Sequence, residues 1–511
     1  MKKEKIFLLV ILILAFFLRF YRLNKVPPSL SWDETAIGYN AYSIWKTGKD
    51  EFGFRLPFAF KSFGDYKSPL LVYLTVPFVG IFGLNEWAVR FPSALISFFT
   101  AIVVYLLVKE LFKNNKISLI TGFLMAISPW HLQFSRPAFE PNLAFFWVTT
   151  GVLMFLKGLK KPMFFILSSL SFMLAMYSYH SPKLFLPFFL VGLGIIYWHK
   201  IFKKENIRYL SLSFFLALLL SLPLLKIHLG GEAGARFTST GIFYTKEGGK
   251  KPFDFKLIGE IGKSYLVHFS PQFLFFGNND NFRNKMKSNG LFYFIEAPFL
   301  LIGFWFLLKQ KKEKWAKLLL TWIFLAPIPA IITIEAPHSL RASNLLIPLM
   351  IVISLGIKRL FNFFESKRYK KVFYVLFFLF YITNIGYYLY SYYVRLPVYA
   401  APDWQYGYKE MVQYVETKEN EVEKIIITLE YGQPHIFIQF YQKLKPLEIW
   451  QEKLGKYQFR EINWQKDKNL SKVLLVATPK EVPLESIPPR AKIEKEIYFP
   501  DGSVSFRIIK L

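Results

Sequence analysis

Residues 91–134 read FPSALISFFTAIVVYLLVKELFKNNKISLITGFLMAISPWHLQF. Two apolar runs, Phe91–Val108 and Ile117–Phe134, flank a short turn that carries Lys109, Lys113 and Lys116. Each run approaches the ~20 residues that a helix needs to cross hydrocarbon. A lysine-rich turn between two such runs is the pattern of a membrane hairpin whose tip faces the cytoplasm. Working outward, nine more runs follow the same rule: Ile6–Phe20, Leu143–Leu156, Met163–Tyr179, Leu184–Trp198, Tyr209–Leu225, Leu291–Leu308, Leu318–Ile334, Ala342–Ile357 and Val372–Tyr390. The expectation is an all-α polytopic membrane protein with about eleven spans.

Composition agrees. The 511 residues are 53% hydrophobic and include 57 Phe, more aromatic surface than soluble domains of this length need. There is no Cys, which excludes disulfides, Cys-attached haem and Cys-zinc sites. Met1–Lys5 and the run behind it read as an uncleaved first span, because no small-residue cleavage site follows.

The formal charge of +29 raises nucleic acid as a partner, and its distribution argues against one. Residues 395–511 hold 18 basic and 16 acidic side chains, so the excess lies between the apolar runs. One further run, Pro69–Leu84, decides the topology. Without it, the segments Met1–Lys5, Lys109–Lys116, Lys157–Pro162, His199–Arg208, Lys309–Lys317 and Lys358–Lys371 share one side and carry 24 Lys/Arg against 5 Asp/Glu. Counting it as a crossing would put all but the first outside, against the positive-inside rule. Pro69–Leu84 therefore reads as an interfacial, juxtamembrane helix. The N-terminus is then cytoplasmic, and the localisation is the plasma membrane.

Two domains are expected. Residues 1–394 form the membrane domain, with a first outer loop at 21–90 and a long outer loop at 226–290. Gly230-Gly231 and Gly248-Gly249 mark irregular backbone in the second loop. Residues 395–511 form a small extracytoplasmic α/β or α+β domain. Its pattern is a helix near Tyr408–Val415, a strand Lys424–Leu429, a helix from Pro434, a strand Lys472–Ala477 and a hairpin turning at Pro500-Asp501-Gly502.

Ionisable residues gather at the outer edge: Asp33-Glu34, Lys67, Arg136, Glu140, His180, Lys183, Glu335, His338 and Arg341. Such groups are costly at a membrane edge unless paired or hydrated, so together they suggest a polar cavity. Each also has a bland reading. Lys183 and Arg341 fit snorkelling anchors, His180 and His338 fit interfacial hydrogen-bonders, and Glu140-Pro141-Asn142 fits a helix start. Asp33-Glu34 fits a helix cap as well as a paired-carboxylate site able to take a hydroxyl proton or hold a metal.

The order of short motifs carries a resemblance. Trp32-Asp33-Glu34 follows the first span, and Lys67-Ser68-Pro69 opens the interfacial helix. Arg90-Phe91-Pro92-Ser93-Ala94 opens the second span, and Ser135-Arg136 with Glu140-Pro141 follows the third. The chain resembles the GT-C glycosyltransferases, in the branch of protein O-mannosyltransferases and the lipid A aminoarabinose transferase. The resemblance implies a GT-C arrangement of spans with juxtamembrane helices in the first outer loop. It implies a sugar donor on a polyprenyl phosphate and an acceptor hydroxyl on protein, lipid or glycan at the outer face, with inversion. Asp33 would be the general base, with Glu34 and Glu140 as further catalytic carboxylates. Lys67, with Arg136, would meet the donor phosphate, Lys183 and Arg341 join them as candidates by their placement at outer span edges, and His180 and His338 would touch sugar or phosphate. A divalent metal (Mg or Mn), if used, would sit on Asp33 and Glu140.

Competing readings are a lipid or sugar transporter, or flippase, and a non-catalytic membrane scaffold. A transporter should show repeats and midplane polar groups. Here the charges lie at the edge and the sequence shows no repeat.

Overall fold

In a computed structural model, residues 2–229, 241–244, 249–277, 281–446 and 454–511 are described. Gly230-Gly231 and Gly248 lie outside the described residues. Two compact units emerge. The first comprises Met1–Tyr21, Gly64–Leu71 and Ser93–Leu389, and the second Arg22–Phe63, Val72–Pro92 and Tyr390–Leu511.

The helices of the N-terminal half are α1 (Lys2–Phe20), α2 (Trp32–Thr47), α3 (Pro69–Phe82), α4 (Glu86–Phe112), α5 (Asn115–Ile127), α6 (Pro129–Ser135), α7 (Glu140–Gly158), α8 (Phe164–Ser178), α9 (His180–Ile201) and α10 (Ile207–Leu229). Later come α11 (Phe255–Val267), α12 (Glu296–Lys309), α13 (Lys314–Leu325), α14 (Leu346–Glu365) and α15 (Lys370–Tyr390). Six helical stretches among the described residues are long and apolar enough to cross a membrane, and the bent α5–α6 pair, turning by 53°, would make a seventh. The other expected spans appear as helices short of the length or the apolar character of a full crossing. For example, α8 has 15 residues, and α1 carries Lys2, Lys3, Glu4 and Lys5 at its start. At 14 residues α3 is about 21 Å long, short of the ~30 Å hydrocarbon core. The outward faces of α10 and α15 are apolar, with Phe214, Phe215, Val375 and Ile382 exposed, as lipid-facing helices require.

Within the first unit, backbones approach where side chains are absent. A Cβ on Gly303 of α12 would come within 1.9 Å of the Val352 carbonyl oxygen, and one on Gly356 of α14 within 2.0 Å of the Phe299 carbonyl oxygen. Small residues at such contacts are what membrane helix pairs select. Thr121 of α5 adds an interhelical hydrogen bond to Ser354, at 2.9 Å.

The second unit contains a five-stranded mixed sheet. With β1 (Phe60–Ser62) and β2 (Asp65–Lys67) lying between α2 and α3, its strands are β3 (Lys424–Ile427), β4 (Tyr457–Phe459), β5 (Val473–Ala477), β6 (Lys492–Tyr498) and β7 (Val504–Lys510). Their order is β4-β3-β5-β7-β6. β3 pairs parallel with β4 and β5, and β7 pairs antiparallel with β5 and β6. Ile426, Leu475 and Ile509 are buried in its core. Helices α16 (Tyr408–Lys418) and α17 (Pro434–Tyr441) pack in the same unit, with Tyr408 stacked on Phe437 at 4.1 Å. Helix α2 packs on α17. A Cβ on Gly38 would come within 2.5 Å of Val89 and 2.7 Å of Phe440, so only glycine permits this approach.

Candidate active site

In the second unit, Ser31 caps α2. Its Oγ accepts from the Glu34 N–H, and Glu34 Oε2 accepts from the Ser31 N–H at 3.0 Å, a reciprocal capping box. Glu34 also takes Arg90 at both oxygens, Nε to Oε1 at 2.9 Å and Nη2 to Oε2 at 3.2 Å. Arg90 completes its donors on the carbonyls of Leu23 (3.1 Å), Pro27 (2.9 Å) and Ser29. Both side chains are fully buried. The oxygens of Glu34, expected as a second catalytic carboxylate, hold the loop and the helix start together. Asp33, its neighbour in the first turn of α2, is half-buried. The helix start is held from the C-terminal segment, where Gln405 Oε1 accepts the Trp32 N–H at 3.2 Å. Gly432 leaves room for the Trp32 ring, which a Cβ there would meet at 2.5 Å. Tyr39 further along α2 donates to the Leu444 carbonyl at 3.2 Å.

In the first unit, three contacts draw expected site residues together. The Ser68 N–H donates to Glu140 Oε1 at 2.9 Å, and His180 Nε2 meets the Tyr66 carbonyl at 3.2 Å. Lys67 sits between those two anchor points. Ser181 Oγ donates to the Arg341 carbonyl at 3.0 Å. Lys183 follows His180 by three positions on α9, on the same face. Lys67, Glu140, His180, Lys183 and Arg341 therefore belong to one neighbourhood.

The Arg341 guanidinium donates to Thr333 Oγ1 at 2.8 Å and to Glu335 Oε2 at 3.1 Å. His338 Nε2 lies 3.6 Å from the same carboxylate. The His338 N–H donates to His268 Nε2 at 3.2 Å, while His268 Nδ1 meets the Ser264 carbonyl at 2.7 Å. These contacts assign the neutral Nδ1–H tautomer, and burial pushes the His268 pKa down to about 4. A cavity of about 520 Å³ opens beside this loop, lined by Asn284, Lys285, Glu335, His338 and Ser339 among others. Burial lowers the Lys285 pKa to about 8, and its ammonium donates to the Gln272 carbonyl at 3.0 Å. Sequence reading missed Lys285 and His268, because an aperiodic loop gives no signal of which polar residues turn inward.

Arg136, expected at the donor phosphate, is fully buried and donates to the carbonyls of Leu18 (2.8 Å), Arg19 (3.1 Å) and Tyr21 (2.7 Å). These are orphan carbonyls at the end of α1. Arg19 returns the service from α1, donating to Met125 (3.0 Å) and Ala126 (3.1 Å) at the end of α5, with His131 Nδ1 at 2.6 Å. Arg136 thus caps the end of α1, and Arg19 the end of α5. The metal site on Asp33 and Glu140 finds no support in the donor set: among the described residues no group of three or more His, Cys, Asp or Glu converges to hold an ion.

Residues 66–226 match the family described as dolichyl-phosphate-mannose-protein mannosyltransferase, under half of the chain. No curated protein sequence matches the chain. Three solved structures are similar. The oligosaccharyltransferase AglB from Archaeoglobus fulgidus, in complex with an inhibitory peptide and a dolichol-phosphate, has a TM-score of 0.53 at 14% identity, covering 86% of this chain and 63% of that one. The Archaeoglobus fulgidus oligosaccharyltransferase in complex with Zn and sulfate has a TM-score of 0.50 at 14% identity, covering 85% and 61%. ArnT from Cupriavidus metallidurans bound to undecaprenyl phosphate has a TM-score of 0.55 at 11% identity, covering 99% and 97%. The chain thus spans less than two thirds of the archaeal enzyme's length and nearly all of ArnT's. It is a multi-pass membrane protein with the GT-C glycosyltransferase fold. Within that class it resembles the O-mannosyltransferase and ArnT branch, as the motifs around Asp33, Lys67 and Arg90 imply.

Proposed function

We propose that this protein is a glycosyltransferase that moves a sugar from a polyprenyl-phosphate donor to an acceptor hydroxyl at the outer face of the membrane. The observation that carries the reading is the neighbourhood of Lys67, Glu140, His180, Lys183 and Arg341, the first four of which lie inside the segment that matches the mannosyltransferase family. Dolichol-phosphate and undecaprenyl phosphate in the similar structures support a lipid-linked donor here. The transporter and scaffold readings lose ground, since the matched family consists of transferases.

In this reading the acceptor oxygen attacks the anomeric carbon as the bond from that carbon to the lipid phosphate oxygen breaks, with inversion. Asp33 takes the hydroxyl proton. The phosphate diester leaves as a monoester with one more negative charge, and fixed cations at Lys67, Lys183 and Arg341 stabilise it. Arg341 supplies a planar fork, the lysines point charges. Glu140 fixes the backbone beside Lys67 through the Ser68 N–H and so positions that cation. His180 does the same through Tyr66. His338 orients the Glu335–Arg341 pair. A divalent ion remains outside this scheme, and no step is routed through one.

That test is turnover of purified protein in lipid with a panel of radiolabelled polyprenyl-phosphate sugars. Transfer or release from one donor, lost in Asp33→Asn, is the expected outcome. Failure of every donor to bind would overturn the reading. The topology on which it rests predicts that a reporter fused after Gly83 reads outside, and a cytoplasmic reading would reverse the face assigned to every later loop.

A further inference from the structure

A second cavity, of about 350 Å³, is independent of the residues above. It is lined by Asn114 and Ile117 at the start of α5, Phe306 and Trp315 across the α12–α13 turn, and Lys358 and Arg359 near the end of α14, among others. These are helix ends at lysine-rich turns, the edge that the charge pattern assigns to the cytoplasm.

The charges there are one-sided. Lys116 and Arg359 both act electrostatically on Lys358, so three cations converge. The lining includes no carboxylate among the described residues. Glu365 acts electrostatically on Lys116, and its oxygens are engaged by Lys370 at 2.6 Å and Tyr374 at 2.8 Å. Cations brought together with no carboxylate lining the space between them repel one another, and an anion there relieves that cost.

The walls are aromatic. The Arg359 guanidinium lies 3.8 Å from the Phe306 ring centroid, and Trp315 packs edge-on against Phe112 at 4.9 Å. Stacking on Phe306 orients the guanidinium while leaving its edge donors available. Nearby, Lys309 covers Trp305 at 3.7 Å, and Trp305 is exposed on the helix surface. Tryptophan and lysine together at helix ends mark the headgroup level of a bilayer. Asn114 caps α5, whose positive end opens on the same space.

We propose that this cavity binds the phosphate of an anionic membrane-lipid headgroup. Lys358 and Arg359 pair the phosphate oxygens, and Phe112, Phe306 and Trp315 flank the glycerol and first acyl carbons. Basic pockets between transmembrane helices are suited to such headgroups.

The experiment uses the full chain in neutral detergent and titrates three probes: short-chain phosphatidylglycerol, short-chain phosphatidylcholine and inorganic phosphate. Binding is read by native mass spectrometry. The expected result is phosphatidylglycerol binding at least tenfold tighter than either other probe. The Lys358→Gln/Arg359→Gln variant should weaken it tenfold or more, while Lys367→Gln/Arg368→Gln, which removes the same charge outside the cavity lining, should leave it within twofold. Equal loss in both variants would reduce the effect to general surface attraction and overturn the site. Equal binding of inorganic phosphate would assign the cations to a free anion and overturn the lipid. The wild-type comparison of the three probes stands even where a variant fails to fold.

Discussion

Arg90 and Glu34 form a fully buried two-point pair, Nε to Oε1 at 2.9 Å and Nη2 to Oε2 at 3.2 Å, directly beside the half-buried Asp33. Breaking one side of a buried pair leaves the other charge uncompensated, a loss of about 3–5 kcal/mol. Arg90→Ala and Glu34→Ala should each lower thermal stability strongly. The double variant should lose clearly less than the sum of the two, because the orphaned charge is then gone. Additive losses in melting experiments would show that the pair does not act as a unit.

Asp33→Asn should leave melting temperature and monodispersity close to wild type, since the fold-holding carboxylate is Glu34. Turnover should fall by roughly two to four orders of magnitude, the range of a positioned general base. Retained activity would remove Asp33 from that role.

Lys67→Ala and Arg341→Ala should weaken donor binding more than acceptor binding. Arg341→Lys should recover only part of it, because an ammonium cannot replace the fork that holds Thr333 and Glu335. Arg136→Met should behave differently. It should destabilise the protein by leaving the Leu18, Arg19 and Tyr21 carbonyls with one donor fewer. Donor affinity of the folded fraction should be unchanged, as measured by donor titration after removal of aggregates.

His268 gives a pH dependence with a defined sign. Its pKa is about 4 in the folded chain against 6.5 for the exposed side chain. Between those values the unfolded chain takes up a proton that the folded chain refuses. Stability is therefore fully present above about pH 6.5 and falls as pH drops toward about 4. His435, buried against Phe63 and Phe459 and also held at about 4, adds a second contribution in the same window. His268→Gln should make the acid slope of melting temperature shallower without abolishing it. An unchanged slope would show that His268 is protonated without cost.

Much of this was legible from residues alone. Hydropathy over 18–20 positions is local, so runs such as Phe91–Val108 declare themselves wherever the helix packs, and the charge of the flanking segments set Pro69–Leu84 apart from them. In the C-terminal segment, the helices at Tyr408 and Pro434, the strands β3 and β5 and the turn at Asp501-Gly502 fall where alternation and turn residues put them. Strand β4 escaped notice because three residues, Tyr457–Phe459, carry no period.

What tertiary structure decided is which charge meets which partner. Asp33 and Glu34 are adjacent acids in one helical turn, and their neighbours in space, not their spacing, separate them. Arg19, Arg90 and Arg136 look alike as basic residues at span edges. Their carbonyl partners lie up to 118 positions away in sequence, so only the packed helices show which backbone each one meets. The same holds for Trp32 and Gln405, 373 positions apart, and for Gly38 against Phe440. Apolar run length follows from composition along the chain, whereas a buried charge is defined by what surrounds it in three dimensions.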